Sequence, residues 1–131
     1  MAENFNILIV DDEDDFRVTL VKRLQKRNQQ VFGSESGQKA LTLMDAMVFD
    51  VVVLDVKMPG MDGIETIREM KKKNPLTEVI LLTGHASMES GIEGMKLGAF
   101  DYVMKPVNID ELLEKIRQAY ERKQIQEQER Q

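Results

Sequence analysis

Val51-Val52-Val53-Leu54-Asp55-Val56-Lys57-Met58-Pro59-Gly60-Met61-Asp62-Gly63 is the stretch on which the reading of this chain turns. An unbroken apolar run ends on a carboxylate, and a loop containing proline and glycine follows. Apolar residues without alternation read as a strand covered on both faces, as in a parallel sheet. Ile7-Leu8-Ile9-Val10 and Val79-Ile80-Leu81-Leu82 have the same character. Gln30-Val31-Phe32 and Phe100-Asp101-Tyr102-Val103-Met104 are weaker strand candidates.

Working outward, helical periodicity fills the intervals. Phe16, Leu20, Val21 and Leu24 mark an apolar face whose wet side carries Lys22, Arg23, Lys26 and Arg27. Ala40, Leu41 and Met44 mark a second helix, and Ile64, Ile67 and Met70 a third. The third must stop at Asn74-Pro75, because proline disfavours helical geometry in the residue before it. Ile92, Met95 and Ala99 outline a fourth apolar face, with Gly98 as a left-handed cap. Ile109, Leu112, Leu113, Ile116 and Tyr120 outline a fifth, opened by Asn108 with Glu111 three residues later. Strands alternating with helices imply an α/β fold, a doubly wound (βα)5 sandwich around a five-stranded parallel sheet, flavodoxin-like in architecture. The order 2-1-3-4-5 fits a chain this short, although the pattern alone leaves the order open.

The chain is 131 residues long, the size of one ordinary domain. It has no cysteine and one histidine, which excludes disulfides, thiolate metal sites and histidine-rich centres. The formal net charge of −5 argues against binding of nucleic acid by this domain. Met1–Phe5 lacks the pattern of a signal peptide, and no apolar run is long enough to span a membrane. The expected compartment is the cytoplasm. Residues 121–131 carry a lone apolar residue, Ile125, and read as a helical extension or the start of a linker. Continued as a heptad seam from Ile109, Leu112, Ile116 and Ala119, the pattern turns polar at Lys123 and Gln126.

The strand ends carry the chemistry. Asp11-Asp12-Glu13-Asp14-Asp15 follows the first strand. Asp14 or Asp15 could serve as a helix cap, but five acids in a row repel one another and need an offset. Asp55 ends the third strand, where a buried carboxylate is costly unless paired or metal-bound. In the order 2-1-3-4-5, strands 1 and 3 are neighbours, so Asp11, Asp12 and Asp55 converge. Oxygen ligands without His or Cys point to Mg²⁺, with Mn²⁺ or Ca²⁺ as alternatives. Thr83 after the fourth strand and Lys105 after the fifth read, in isolation, as an ordinary hydroxyl cap and a surface charge. Beside three carboxylates they become partners for phosphoryl oxygens. The set points to metal-assisted phosphoryl transfer, with Asp55 as the nucleophile that forms an acyl phosphate.

Asp11-Asp12, Asp55 within its loop, Thr83 and Lys105-Pro106, in this order and spacing, resemble the receiver (CheY-like) domain of two-component response regulators, from about Asn6 to Tyr120. The resemblance implies the order 2-1-3-4-5, a receiver over residues 1–120, and residues 121–131 leading toward an output domain. It implies Asp55 as acceptor from a sensor histidine kinase, the chain assisting its own phosphorylation and dephosphorylation rather than acting as an enzyme on a separate substrate. It implies Asp12, Asp55 and the Lys57 backbone carbonyl as direct Mg²⁺ ligands, with Asp11 acting through water. Thr83 and Tyr102 resemble the switch pair that remodels the face made by helix 4, strand 5 and helix 5, a face that can also form a homodimer. The Lys105–Pro106 bond is expected to be cis. Lys57 and His85 occupy the positions that tune phosphoryl lifetime, and neither orients an attacking water readily, so slow self-dephosphorylation is expected.

Gly84–Tyr102 is most similar to receivers of sigma-54-dependent transcription activators. Among competing readings, a haloacid dehalogenase-type phosphatase needs a second acid where Lys57 stands, and a cap insertion for which there is no space. A flavodoxin-type carrier would need a phosphate cradle where Asp11–Asp15 repels phosphate. A degenerate receiver, acting only as a protein-interaction module, is the remaining alternative, and the full set of site residues argues against it.

Overall fold

The computed structural model describes residues 5–27, 30–58, 60–84 and 88–130. In chain order these form β1 (Asn6–Val10), α1 (Asp14–Gln25), β2 (Gln30–Ser34), α2 (Gly37–Ala46), β3 (Val51–Asp55), α3 (Gly63–Lys73), β4 (Glu78–Thr83), α4 (Met88–Lys96), β5 (Asp101–Met104) and α5 (Ile109–Glu129). The five strands are parallel and ordered β2-β1-β3-β4-β5, as expected.

Alternation along the central strands divides the core in two. Ile7, Ile9, Val51, Val53, Ile80 and Leu82 face α1 and α5, meeting Leu20, Leu24, Leu112 and Ile116. Leu8, Val10, Val52, Leu54, Val79 and Leu81 face the other way, toward Ala40, Leu41, Ile67 and Met70 of α2 and α3. A strand apolar on both faces is therefore apolar at every position, which is why β3 reads as a continuous run.

Helix ends follow local chemistry. Ser36, Asp62 and Asn108 each accept a backbone N–H three residues on, at 3.1, 2.9 and 3.0 Å. α3 stops where Asn74 turns extended ahead of Pro75. Gly98 has φ +107°, the left-handed geometry expected of it.

Two expectations need correction. Neither Asp14 nor Asp15 caps α1: both lie in its first turn, and Glu13 occupies the N-cap without a side-chain bond. Their carboxylates still complement the positive helix end. In α4, Ile92 and Met95 do not face the core; they are 56% and 37% exposed, and the buried residues are Gly91 and Gly94. A Cβ on Gly94 would lie 2.4 Å from Leu81 Cδ1. The helix thus meets the sheet through glycines and turns its larger side chains outward.

α5 continues without a break through residue 121 to Glu129. Lys123, the polar position in the seam, is buried. Its ammonium lies 2.9 Å from Asp50 Oδ1 and also pairs with Glu127. Asp50 in turn accepts the Asn6 N–H at 2.8 Å. Nearby, Glu78 is buried at the start of β4, 3.4 Å from Lys71 Nζ and 3.0 Å from Arg122 Nε. The Arg122 contact is between charges, its alignment falling short of a hydrogen bond. Phe5 stacks on Tyr120 with centroids 4.0 Å apart. These contacts tie the second half of α5 to the rim where the strands begin.

Candidate functional site

At the opposite rim, where the strands end, parallel pairing brings the chemistry-bearing residues together. β1 and β3 are adjacent, with Val10 opposite Leu54, so the residues that follow, Asp11 and Asp55, emerge side by side. Asp11 is fully buried, and its N–H is held by the Ser34 carbonyl at 3.1 Å. Its Oδ1 accepts the Glu13 N–H at 2.9 Å, and its Oδ2 accepts from Lys105 Nζ at 3.2 Å. Asp12 is exposed. Asp55 is buried; Oδ1 accepts the Lys57 N–H at 3.1 Å and Oδ2 accepts from Lys105 Nζ at 3.3 Å.

Asp11, Asp12 and Asp55 each offer a carboxylate oxygen within 4.8 Å of the others. Three hard oxygen donors at that spacing suit a small divalent cation. Both oxygens of Asp11 and both of Asp55 already have protein partners, whereas Asp12 faces solvent, so Asp12 is the freest donor of the three.

The electrostatics follow from burial. Desolvation pushes the Asp55 carboxyl above the usual carboxylate range, and nearby Asp11 adds to this. The Lys57 N–H and the Lys105 ammonium pull the other way without cancelling it. For Lys105 burial alone would lower the pKa, but the Asp55 and Asp11 carboxylates outweigh it and hold the ammonium above the usual lysine range.

β4 places Thr83 one residue beyond the partner of Asp55, since Asp55 pairs with Leu82. Thr83 is buried, and its hydroxyl donates to the Gly84 carbonyl at a long 3.2 Å. The Thr83 carbonyl accepts the Lys105 N–H at 2.8 Å, which fixes the start of the segment after β5, and Lys105–Pro106 is cis as expected. Tyr102 does not join the carboxylates. It stands on β5, 38% exposed, with Lys115 Nζ donating to its carbonyl at 2.8 Å and lying 5.6 Å from its ring centre. Between Tyr102 and Thr83 lies a cavity of about 220 Å³, closed by Met88, Gly91, Ile92 and Met95. Lys57 is exposed beside Asp55. His85 lies outside the described residues.

Three neighbours of the site escaped the sequence reading. Glu13 Oε1 is 3.7 Å from Lys105 Nζ. The Phe16 ring centre is 4.6 Å from the same nitrogen. Arg17 donates to the Asp11 carbonyl and to Asp14 Oδ1, each at 2.8 Å. Phe16 fitted the apolar face of α1 so well that its position immediately after the acid run went unread.

Comparison with known proteins agrees with this geometry. The profile of the response regulator receiver domain matches residues 7–117. Regulatory protein AtoC of Escherichia coli (strain K12) is 42% identical over 106 residues, 81% of this chain and 23% of that protein. The DNA-binding transcriptional regulator NtrC of Klebsiella pneumoniae is 34% identical over 122 residues, 93% of this chain and 26% of its own length. The chain thus spans about a quarter of the curated relatives it matches. A response regulator receiver domain from Clostridium thermocellum superposes with TM-score 0.88 at 35% identity, covering 92% of this chain and 98% of that one. With the sheet order, the strand-end carboxylates and the matched profile in agreement, the chain belongs to the receiver domain family of two-component response regulators.

Proposed function

We propose that Asp55 accepts a phosphoryl group from a sensor histidine kinase and that the domain converts this into a change of surface. The observation that carries the reading is the convergence of Asp11, Asp12 and Asp55 with a single ammonium, Lys105, at one strand rim. One Asp55 oxygen forms the new O–P bond as the P–N bond of the donor's phosphohistidine breaks, and the imidazole leaves with the bonding pair. Lys105 is within reach of both Asp55 and the space beside it, where it can donate to a phosphoryl oxygen. Asp12, Asp55 and the Lys57 backbone carbonyl would hold a Mg²⁺ ion directly, with Asp11 acting through water; bound there, the ion supplies positive charge that offsets the phosphoryl oxygens. Mn²⁺ suits the same donors.

Thr83 and Tyr102 form the switch in this reading. The long bond from Thr83 to the Gly84 carbonyl is readily given up for a phosphoryl oxygen. That motion opens the cavity beside Tyr102, into which the ring turns. The responding surface is α4, β5 and α5, and it serves an output domain, a downstream protein or a second copy of the chain. Residues 1–120 form the receiver and 121–131 a helical extension toward an output domain. Support comes from relatives about four times as long, among them a DNA-binding transcriptional regulator. The sigma-54-dependent activators are the subclass the resemblance favours.

Acetyl phosphate with Mg²⁺ is expected to add one acid-stable, hydroxylamine-labile phosphoryl group, seen as one mass increment, and Asp55→Asn to abolish it. Beryllofluoride should shift the Thr83 and Tyr102 resonances without turnover, and sedimentation of the same sample reads the dimer. A protein that responds to neither reagent overturns the reading.

A further inference from the structure

Among the described residues, Lys105 has the only ammonium within hydrogen-bonding reach of Asp55, and a lysine is a poor instrument for fixing a charge. Its four-carbon stem is flexible and its head is strongly hydrated. Two of its three N–H groups have acceptors, Asp11 Oδ2 at 3.2 Å and Asp55 Oδ2 at 3.3 Å. Glu13 Oε1, at 3.7 Å, is close enough to attract but too far to hydrogen-bond, and its side chain is largely exposed. A competing carboxylate therefore stands on the solvent side of the ammonium.

The remaining side is occupied by the Phe16 ring, with its centre 4.6 Å from Nζ. That distance lies within the range in which an aromatic face attracts a cation. The ring does not float: Phe16 packs against the core between α1 and α5. It also accepts no competing hydrogen bond of ordinary strength, so it leaves the N–H groups for oxygen acceptors while keeping water off that side.

We infer that Phe16 is a positioning residue for Lys105, an aromatic wall that holds the ammonium over the carboxylates and away from Glu13 and bulk water. The inference rests on the reading of Asp55 as phosphoacceptor and adds a residue to it. During transfer from acetyl phosphate the donor's P–O bond breaks, acetate leaves with the bonding pair, and an Asp55 oxygen takes the phosphorus. Lys105 meets the phosphoryl oxygens best if it is already placed. Phe16 touches neither donor nor acceptor; it acts through the lysine.

The test is a double-mutant cycle on the full chain: wild type, Phe16→Leu, Lys105→Ala and the double variant, each with acetyl phosphate at saturating Mg²⁺. Phe16→Leu is expected to slow phosphorylation about two- to fivefold when Lys105 is present, the scale of one exposed cation–π contact. In the Lys105→Ala background it should change nothing. Phe16→Tyr, which keeps the ring face, should stay within about twofold of wild type. Phe16→Met provides a second aliphatic variant and should match Phe16→Leu. Equal slowing in both backgrounds, or a tyrosine variant as slow as the aliphatic ones, overturns the inference and leaves Phe16 a packing residue. A wild-type protein that takes up no phosphoryl group fails the acceptor reading, and the ring's role with it. Normal wild-type uptake with no coupling fails the ring's role alone.

Discussion

Burial of the Asp55 carboxylate carries a cost that its neighbours only partly offset. Burial raises its pKa and Asp11 adds repulsion, while Lys57 N–H and Lys105 oppose them. Neutralising the side chain while keeping its shape should therefore stabilise the resting protein: Asp55→Asn is expected to raise the free energy of unfolding at pH 7 by about 1 kcal/mol. The sign of the pH dependence follows. A carboxyl whose folded pKa lies above its unfolded value costs stability where it is ionised, and the cost fades as pH falls through the folded pKa toward the unfolded one, roughly 3.9. Urea unfolding of both proteins from pH 7 down to 4 should show the advantage of Asp55→Asn shrinking; an advantage that grows on acidification contradicts the assignment. Asp55 was legible as a site because a carboxylate closing an apolar run has no structural reason to be there. Phe16 was not, because its place on the apolar face of α1 explains it fully.

At the scale of elements, two helices lie close to the sheet through glycine, for different reasons. α3 begins at Gly63, directly under the loop that leaves Asp55, and a Cβ there would sit 2.4 Å from Val56 Cα and 2.7 Å from the Asp55 carbonyl oxygen. Backbone cannot rotate out of the way as a side chain can. Gly63→Ala is therefore expected to cost about 3 kcal/mol or more in thermal or urea unfolding, despite alanine's better helix propensity. A variant of wild-type stability would show that the loop yields. The second case is α4, whose core-facing residues Gly91 and Gly94 carry no side chain. Periodicity finds a buried face by its apolar side chains. Here that rule pointed to Ile92 and Met95, which stand outside instead. The strands were legible for the converse reason: burial on both sides leaves an apolar side chain at nearly every position of β3.

Taken whole, the molecule has a charged centre at each rim of its sheet. One rim holds Asp11, Asp55 and Lys105; the other holds Asp50, Lys123, Glu78, Lys71 and Arg122. The second was hidden from sequence because Asp50 and Glu78 look like loop charges and their partners come from distant segments. Removing Lys123 takes away the ammonium that faces Asp50, whose other carboxylate oxygen accepts the Asn6 N–H. Lys123→Ala is expected to destabilise the fold by about 3 kcal/mol and to raise amide exchange in residues 120–130 ahead of the strands. Uniform exchange across the chain would show that the tail was never separately anchored. Asp50 precedes and Asp55 ends the same strand, β3, whose buried residues carry no other charge. At about 3.3 Å per residue the two carboxylates are roughly 17 Å apart, beyond the range in which substitutions normally interfere. The strand thus works as an insulating rod: an engineer can retune acidity or metal affinity at one tip and the grip on the helical tail at the other, and add the two effects without a correction.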